Sequence, residues 1–186
     1  MGRFYWLLLF IATTIATHAA YVLYYPGYNF DAKIAQVLGP SSTNKMMMLT
    51  EEQVTRLFPA YAKSDIVALC RYDLAFGPVE ISAQLPRGYW TFSIFTVKGR
   101  QVYSLTDAQA GENAFTVELS QAPDLIAQIK GALDDGGETE AIGSAGWRVQ
   151  TPETKGLAVV WTPVADPIFR PATLAAVQRS ACRKKL

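Results

Sequence analysis

The carboxylates best placed for acid–base chemistry in this sequence are those of Asp65, Asp73 and Glu80. They lie on or beside adjacent segments in which apolar and polar residues alternate, as they do in half-buried strands. Two carboxylates that converge in a cleft can act as general acid and general base in hydrolysis. The spacing of these three residues does not require convergence, so a carboxylate-based hydrolase is a minor hypothesis.

The single histidine, His18, lies inside a long apolar run near the N-terminus. The rest of the sequence therefore lacks the histidine needed for Ser-His-Asp or Cys-His catalysis, for a histidine general base and for a His-ligated zinc site. An ionisable side chain in an apolar span is a functional candidate by default. Because the same run holds no acidic or basic residue to relay a proton, we interpret His18 as a neutral side chain.

Other sites for metals and cofactors are not indicated by the sequence. The glycines between Gly131 and Gly146 do not follow a nucleotide-binding spacing, and the acidic residues of segment 134–140 do not match an EF-hand loop. Met46–Met48 have no cysteine or histidine nearby, which favours packing over soft-metal binding. We therefore predict no catalytic residue, no metal ligand and no cofactor, and we favour a non-enzymatic protein.

The two cysteines, Cys70 and Cys182, are too far apart in sequence for a CxxC redox motif. We predict Cys70 in a strand and Cys182 in a C-terminal helix that packs on the sheet. A disulfide between them would close a loop of about 110 residues, which the loop-entropy treatment values at about 4–5 kcal/mol. The pair is expected to be bonded if the domain lies outside the cytoplasm; the alternative is two separate buried thiols.

Residues 4–25 form an uncharged, largely apolar run. A helix of this length spans about 33 Å, which is enough to cross the hydrocarbon core of a bilayer. Tyrosine and tryptophan residues flank the run on both sides, as in an aromatic belt. We therefore predict a transmembrane anchor over residues 1–25 that contacts the bilayer through residues 4–25 and ends at Pro26 and Gly27.

A signal peptide cleaved after Ala19 is the alternative to a retained anchor, because Thr17, His18 and Ala19 resemble a small-residue cleavage site. We favour retention, since the apolar run continues past that point. Arg3 favours a cytoplasmic N-terminus, although Lys33 and Lys45 on the other flank weaken the charge argument.

Residues 26–64 are predicted to be a juxtamembrane helical segment and linker. Asn29 is expected to cap a short helix that ends at Gly39. Its apolar face carries Phe30, Ile34, Val37 and Leu38. Thr50 and Gln53 form a capping-box pattern, so a second short helix is expected to start near Glu51.

Residues 65–186 are predicted to be a β-rich globular domain with a C-terminal helix. The predicted strands cover residues 66–74, 79–85, 90–94, 101–105, 115–119, 147–151 and 157–162. Short turns join most of them, which favours an antiparallel meander. The continuous apolar run at 157–162 predicts a central strand, and residues 120–133 have helical spacing. The fold class is therefore α+β, mainly antiparallel β, with a sandwich-like sheet, a few short helices and one N-terminal transmembrane helix.

Residues 65–119 resemble the short, membrane-anchored members of the bacterial family called domain of unknown function 1254. The resemblance rests on the sequences DIVALCRYDLAFGPV, LPRGYW and YSLTD, and its most specific residues are Tyr72, Asp73, Leu74, Gly77, Pro78 and Trp90. It implies a sandwich-like domain that faces the periplasm from the inner membrane of a Gram-negative bacterium, and it supplies no catalytic residues. Each of these residues also has a structural interpretation, in a turn or in the core, which we favour over a binding role.

The 17 lysine and arginine residues nearly balance the 16 acidic residues, which predicts no nucleic-acid partner. The leading functional hypothesis is a single-pass protein with a cytoplasmic N-terminus and a periplasmic domain. It would be an accessory or interaction subunit of an envelope complex, with other membrane or periplasmic proteins as partners. A sandwich that binds a small ligand or lipid near Trp90, Tyr103 or Trp147 is the second hypothesis, and the hydrolase is the third.

Overall fold

The computed structural model describes residues 2–39, 42–123 and 146–185, and within α1 the side chains of residues 26–29 and 31 are not described. The helices in these ranges are α1 (Gly2–Leu38), α2 (Glu51–Leu57), α3 (Asp107–Ala110) and α4 (Arg170–Val177). The strands are β1 (Met46–Met48), β2 (Ile66–Asp73), β3 (Val79–Gln84), β4 (Thr91–Thr96), β5 (Gln101–Thr106), β6 (Ala114–Gln121), β7 (Gly146–Thr151), β8 (Lys155–Thr162) and β9 (Ala181–Lys184). The acidic segment 134–140 and most of the predicted helix 120–133 lie outside the described residues.

The strands form two sheets, which confirms the α+β class with mainly antiparallel pairing. The first sheet has the order β1-β2-β8-β4-β5, and the second has the order β7-β6-β3-β9, with β6 and β7 parallel. The predicted meander is wrong. Consecutive strands such as β2 and β3 belong to different sheets, because the turn at residues 74–78 carries the chain from one sheet to the other.

The main core lies between the two sheets. Alternate residues of β2 point into it, among them Ala68, Cys70 and Tyr72, and they meet residues of the second sheet such as Ile81 and Val117. This arrangement follows from the period of two in a strand, which sends every second side chain to the same face. In β3 and β4, the alternation of apolar and polar residues in the sequence correctly indicates which side chains are buried.

A second core covers the outer face of the first sheet. Val67 and Leu69 of β2 and Leu157 and Val159 of β8 pack there against α1 and α2, whose buried residues are Ile34, Leu38 and Val54. β2 and β8 are thus buried on both faces, which explains their continuous apolar sequences. β8 pairs with both β2 and β4, so the predicted central strand is confirmed.

Helix α1 is continuous from Gly2 to Leu38, so the helix end predicted at Pro26 and Gly27 is wrong. Asn29 lies inside the helix and not at its start. Proline lacks the amide hydrogen and so removes one backbone hydrogen bond. The following turns of α1 are held in place because Ile34 and Leu38 are buried against the sheet. The apolar face predicted for this segment is therefore right, although its start is not.

Three further predictions have clear outcomes. Thr50 and Gln53 form the predicted capping box at the start of α2. β6 extends to Gln121, so the helix predicted from residue 120 does not begin there. Cys182 is not in the C-terminal helix, which ends at Val177; it lies in β9, the edge strand that pairs with β3. Arg183 and Lys184 follow Cys182 in that strand, where their long side chains are exposed.

Candidate functional site

The three candidate carboxylates do not form one site. Asp65 is almost fully buried at the start of β2, where one of its oxygens accepts hydrogen bonds from the Trp161 indole nitrogen at 2.8 Å and the Ala62 amide at 3.1 Å. Asp73 lies at the other end of β2, about 26 Å away along the strand. The two hydrogen bonds to Asp65 connect the segment before β2 to Trp161 of β8.

Asp73 and Glu80 are each held by nearby groups. Asp73 accepts a hydrogen bond from the Ala75 amide at 2.9 Å and forms an ion pair with Lys155 at 3.6 Å. Glu80, in the second sheet, accepts two hydrogen bonds from Arg183, the shorter at 2.8 Å. Because the hydrolase hypothesis required these carboxylates to converge, it does not survive this placement.

Tyr72 spans three strands of the first sheet. It lies opposite Gly156 of β8, and its hydroxyl donates a hydrogen bond to the Phe95 carbonyl oxygen of β4 at 3.1 Å. Burial raises the pKa of Tyr72 to about 12; a hydrogen bond with Thr151 opposes that rise, and the charge of Glu153 adds to it. The phenol therefore stays protonated and acts as a hydrogen-bond donor inside the domain.

The other residues of the Tyr72-to-Trp90 motif lie in a turn or in the core. Leu74 is buried, and its amide donates to the Thr154 carbonyl oxygen at 2.7 Å. Gly77 has a φ of 116°, a conformation that favours glycine, and the adjacent Pro78 accepts a hydrogen bond from the Lys185 amide at 3.0 Å. These contacts join the turn at residues 74–78 to β8 and to the C-terminal segment.

The aromatic residues of the ligand-binding hypothesis do not share a pocket. Trp90 is fully buried and stacks on Phe115 with ring centroids 5.2 Å apart, and Phe92 packs against the same ring at 4.9 Å. Tyr103 is on edge strand β5 and Trp147 is on edge strand β7 of the other sheet. The space around Trp90 is therefore filled by core aromatic rings and is not open to a ligand.

A groove of about 440 Å³ opens beside β3 and β6. Its lining is mostly small or polar and includes Ser82, Gln84, Glu112, Thr116 and Arg179. A neighbouring groove of about 260 Å³ shares Gln84, Glu112 and Arg179. Neither groove is the deep apolar cavity that a lipid-binding sandwich requires.

A disulfide joins Cys70 of β2 to Cys182 of β9, as predicted for these two residues. Since β2 and β9 belong to different sheets, the bond crosses the main core and ties the sheets together. Both cysteines are buried, Cys70 completely. The C-terminal segment is therefore attached to the domain by a covalent bond as well as by its pairing with β3.

Two sets of contacts with aromatic side chains lie at opposite ends of β4. At one end, the turn at residues 97–100 contacts α1: a Cβ atom on Gly99 would lie 3.5 Å from the Phe30 ring. At the other end, Tyr89 precedes the strand and contacts Trp161, which stacks on Tyr61 with centroids 5.0 Å apart. Burial, with a smaller contribution from the Asp65 charge, raises the pKa of Tyr61.

An exposed apolar patch, missed by the sequence analysis, lies at this second end. Its members are the adjacent residues Ile168 and Phe169, which are 75% and 64% exposed. Arg170, next to Phe169, bonds the Ser64 carbonyl oxygen and Glu51, which holds the segment beside the start of β2. We call Ile168 and Phe169 the apolar patch. Phe76, in the turn at residues 74–78, is a separate exposed ring that Lys184 covers at 4.6 Å.

The geometry defines a two-sheet, mainly antiparallel domain packed on the C-terminal part of a long helix. Residues Gly2–Tyr25 of that helix are exposed and form a stretch of 24 residues that is long and apolar enough to cross a membrane. Within the described residues, no group of three or more His, Cys, Asp and Glu side chains is arranged to hold a metal ion.

Comparison with known proteins supports the fold alone. No family model and no curated protein matches the chain. Its structure is similar to that of the VPA0106 protein from Vibrio parahaemolyticus, with a TM-score of 0.57 and 12% identity over 85% of this chain and 35% of that one. An uncharacterised protein from Burkholderia cenocepacia matches at a TM-score of 0.46 and 11% identity, over 77% and 34% of the two chains. The chain thus spans about a third of the length of either protein.

Proposed function

We propose that the protein is a single-pass inner-membrane protein of a Gram-negative bacterium, with its N-terminus in the cytoplasm and its β-rich domain in the periplasm. The observation that carries this proposal is the exposed apolar stretch Gly2–Tyr25, which continues without a break into a helix that packs on the domain. The Cys70–Cys182 disulfide supports the periplasmic placement, because such bonds persist in oxidising compartments.

We further propose that residues 1–19 are retained. Cleavage after Ala19 would divide α1 and leave the apolar residues Tyr21, Val22 and Leu23 at a new terminus. The resemblance to the family called domain of unknown function 1254 agrees with an anchored, periplasmic protein. We include membership of that family in the proposal.

Fusion of a reporter after Leu186 tests this topology. Alkaline phosphatase, which requires an oxidising compartment, is expected to be active in the fusion, and a cytoplasm-specific reporter at the same position is expected to be silent. The intact mass of the purified protein is expected to include residues 1–19. The opposite reporter pattern would overturn the periplasmic placement, and a mass that lacks residues 1–19 would overturn the retained anchor.

We propose that the domain acts as an accessory or interaction subunit of an envelope complex. The support for this role is the apolar patch of Ile168 and Phe169, since large apolar side chains grouped on a surface mark contacts with other proteins.

The double variant Ile168→Asp/Phe169→Asp is expected to lose proteins that co-purify with the wild type in mild detergent, because it places two charges in an apolar contact. Ala175→Asp is the matched control, since Ala175 is exposed on the neighbouring helix α4. A wild-type protein that purifies alone, as a monomer, would contradict the proposed role. So would a set of partners that both variants retain equally.

A further inference from the structure

The turn between β4 and β5 lies close to the point at which α1 leaves the apolar stretch. Phe30 of α1 packs over Gly99 at the tip of this turn, and Phe30 is only five residues from Tyr25, the last residue of the stretch. Five residues of helix rise about 7.5 Å along the helix axis. The headgroup layer on each side of a bilayer is about 5–7 Å thick. If residues 2–25 cross a membrane, the tip of the turn is therefore at the outer boundary of the headgroup layer.

The turn carries positive charge at this depth. Lys98 and Arg100 flank Gly99, and both are exposed. Lys33 is also exposed, on the first turn of α1 beyond Phe30, and Asp31 is the acidic residue of the same helical segment. Among the described residues, no carboxylate forms an ion pair with Lys33, Lys98 or Arg100. Long basic side chains of this kind reach phosphate groups while their methylene stems stay against the apolar part of the interface.

The hairpin tip is also firmly held. The Thr96 amide donates to the Arg100 carbonyl oxygen at 2.9 Å, and the Gly99 amide donates to the Thr96 carbonyl oxygen at 3.0 Å. Gly99 has a φ of 76° and leaves room for the Phe30 ring. The two basic side chains are thus presented by a closed turn whose position is fixed by its contact with the anchor helix.

We propose that Lys98 and Arg100, supported by Lys33, bind the phosphate groups of anionic lipids, so that the domain has a second membrane contact beside its anchor. This inference rests on the proposed membrane-spanning role of α1 and adds a lipid class and a surface to it. Basic residues next to a membrane anchor are attracted to anionic lipid over distances within a Debye length. The attraction is therefore expected to weaken at high salt.

Spin labelling of the full chain in lipid nanodiscs tests the contact. Gln101→Cys places a nitroxide next to Arg100, and Ala108→Cys places one beyond the other end of β5; both positions are exposed. In phosphatidylcholine discs that contain phosphatidylglycerol, we expect collisions of the label at position 101 with a water-soluble nickel complex to fall severalfold relative to pure phosphatidylcholine. The label at position 108 is expected to be equally accessible in both.

Charge-reversal variants distinguish an effect of the basic residues in the turn from an effect of the net charge of the protein. Lys98→Glu/Arg100→Glu is expected to abolish the protection at position 101. Lys63→Glu/Arg87→Glu is expected to preserve it, because this control makes the same change in net charge at exposed residues away from the turn. Circular dichroism of each variant checks that the domain is folded.

The outcomes distinguish this inference from the proposed function. If the chain stays in the discs but position 101 is equally accessible in both lipids, or if both charge reversals act alike, the lipid contact is wrong and the anchor stands. If the chain is not retained in the discs, the membrane-spanning role fails and the lipid contact fails with it.

Discussion

Replacement of both Cys70 and Cys182 by alanine is expected to lower the free energy of unfolding by about 5 kcal/mol. The disulfide closes a loop across a sequence separation of 112, and the loop-entropy treatment gives about 5 kcal/mol for a loop of this size. The loss of two buried sulfur atoms adds a small packing penalty. A typical domain has only 5–15 kcal/mol in total, so the variant should unfold at far lower denaturant concentrations.

This result depends on where the bond lies. β9 is an edge strand of four residues that, among the described strands, pairs only with β3, and its residue Cys182 is covalently attached to the first sheet. Without that bond, we expect the segment from α4 to the C-terminus to detach before the rest of the domain unfolds.

Urea titration in mild detergent, followed by tryptophan fluorescence, measures this difference. Hydrogen exchange is expected to show the largest loss of protection in β9 and α4. The wild type treated with reductant in denaturant and returned to buffer is the matched control, because it lacks the bond but keeps both side chains. A double variant as stable as the oxidised wild type would contradict the structural role of the disulfide.

Gly156→Ala is expected to destabilise the domain by about 3–5 kcal/mol, through overpacking and the loss of a buried hydrogen bond. A Cβ atom at this position would overlap both the Phe95 carbonyl oxygen and the Tyr72 hydroxyl group. Tyr72 is nearly fully buried and Phe95 belongs to the neighbouring strand, so neither group has free space to move into. The added methyl group would displace the ring and break its hydrogen bond.

Gly146→Ala is the matched control for this substitution. Gly146 is also a strand glycine, but a Cβ atom there would meet its nearest neighbour, the Thr116 carbonyl oxygen, at an ordinary 3.7 Å. We expect this control to have nearly wild-type stability in the same urea titration. Equal effects of the two substitutions would show that the loss of glycine itself, and not the contact with Tyr72, sets the stability.

The local parts of the fold could be predicted from the sequence because their signals are local. The capping box of Thr50 and Gln53 depends on residues three apart, and the apolar runs of β2 and β8 indicate burial on both faces. The allocation of strands to two sheets could not be predicted, because a short turn can join neighbours in one sheet or strands of different sheets. The continuation of α1 past Pro26 depends on the burial of Ile34 and Leu38 against a distant part of the chain.

The candidate sites show the same division. The cysteine pair was predicted correctly, although Cys182 lies in a strand and not in a helix. The carboxylate hypothesis failed because Asp65 and Asp73 are at opposite ends of β2. A spacing of eight residues in the sequence is compatible with this placement but does not determine it. Ile168 and Phe169 could not be distinguished from core residues in the sequence, since their exposure results from how the segment before α4 meets the sheet.

In the proposed topology, helix α1 is shared between the membrane and the domain, with no linker between its exposed apolar stretch and the buried residues Ile34 and Leu38. A domain held in this way does not tumble freely against the bilayer, and the same side of it always faces outward. Association of two proteins costs translational and rotational entropy, and part of that cost is already met when both lie in one membrane with fixed orientations. A weak contact at the apolar patch would then suffice to assemble a membrane-anchored complex, although the same two domains would barely associate when free in solution.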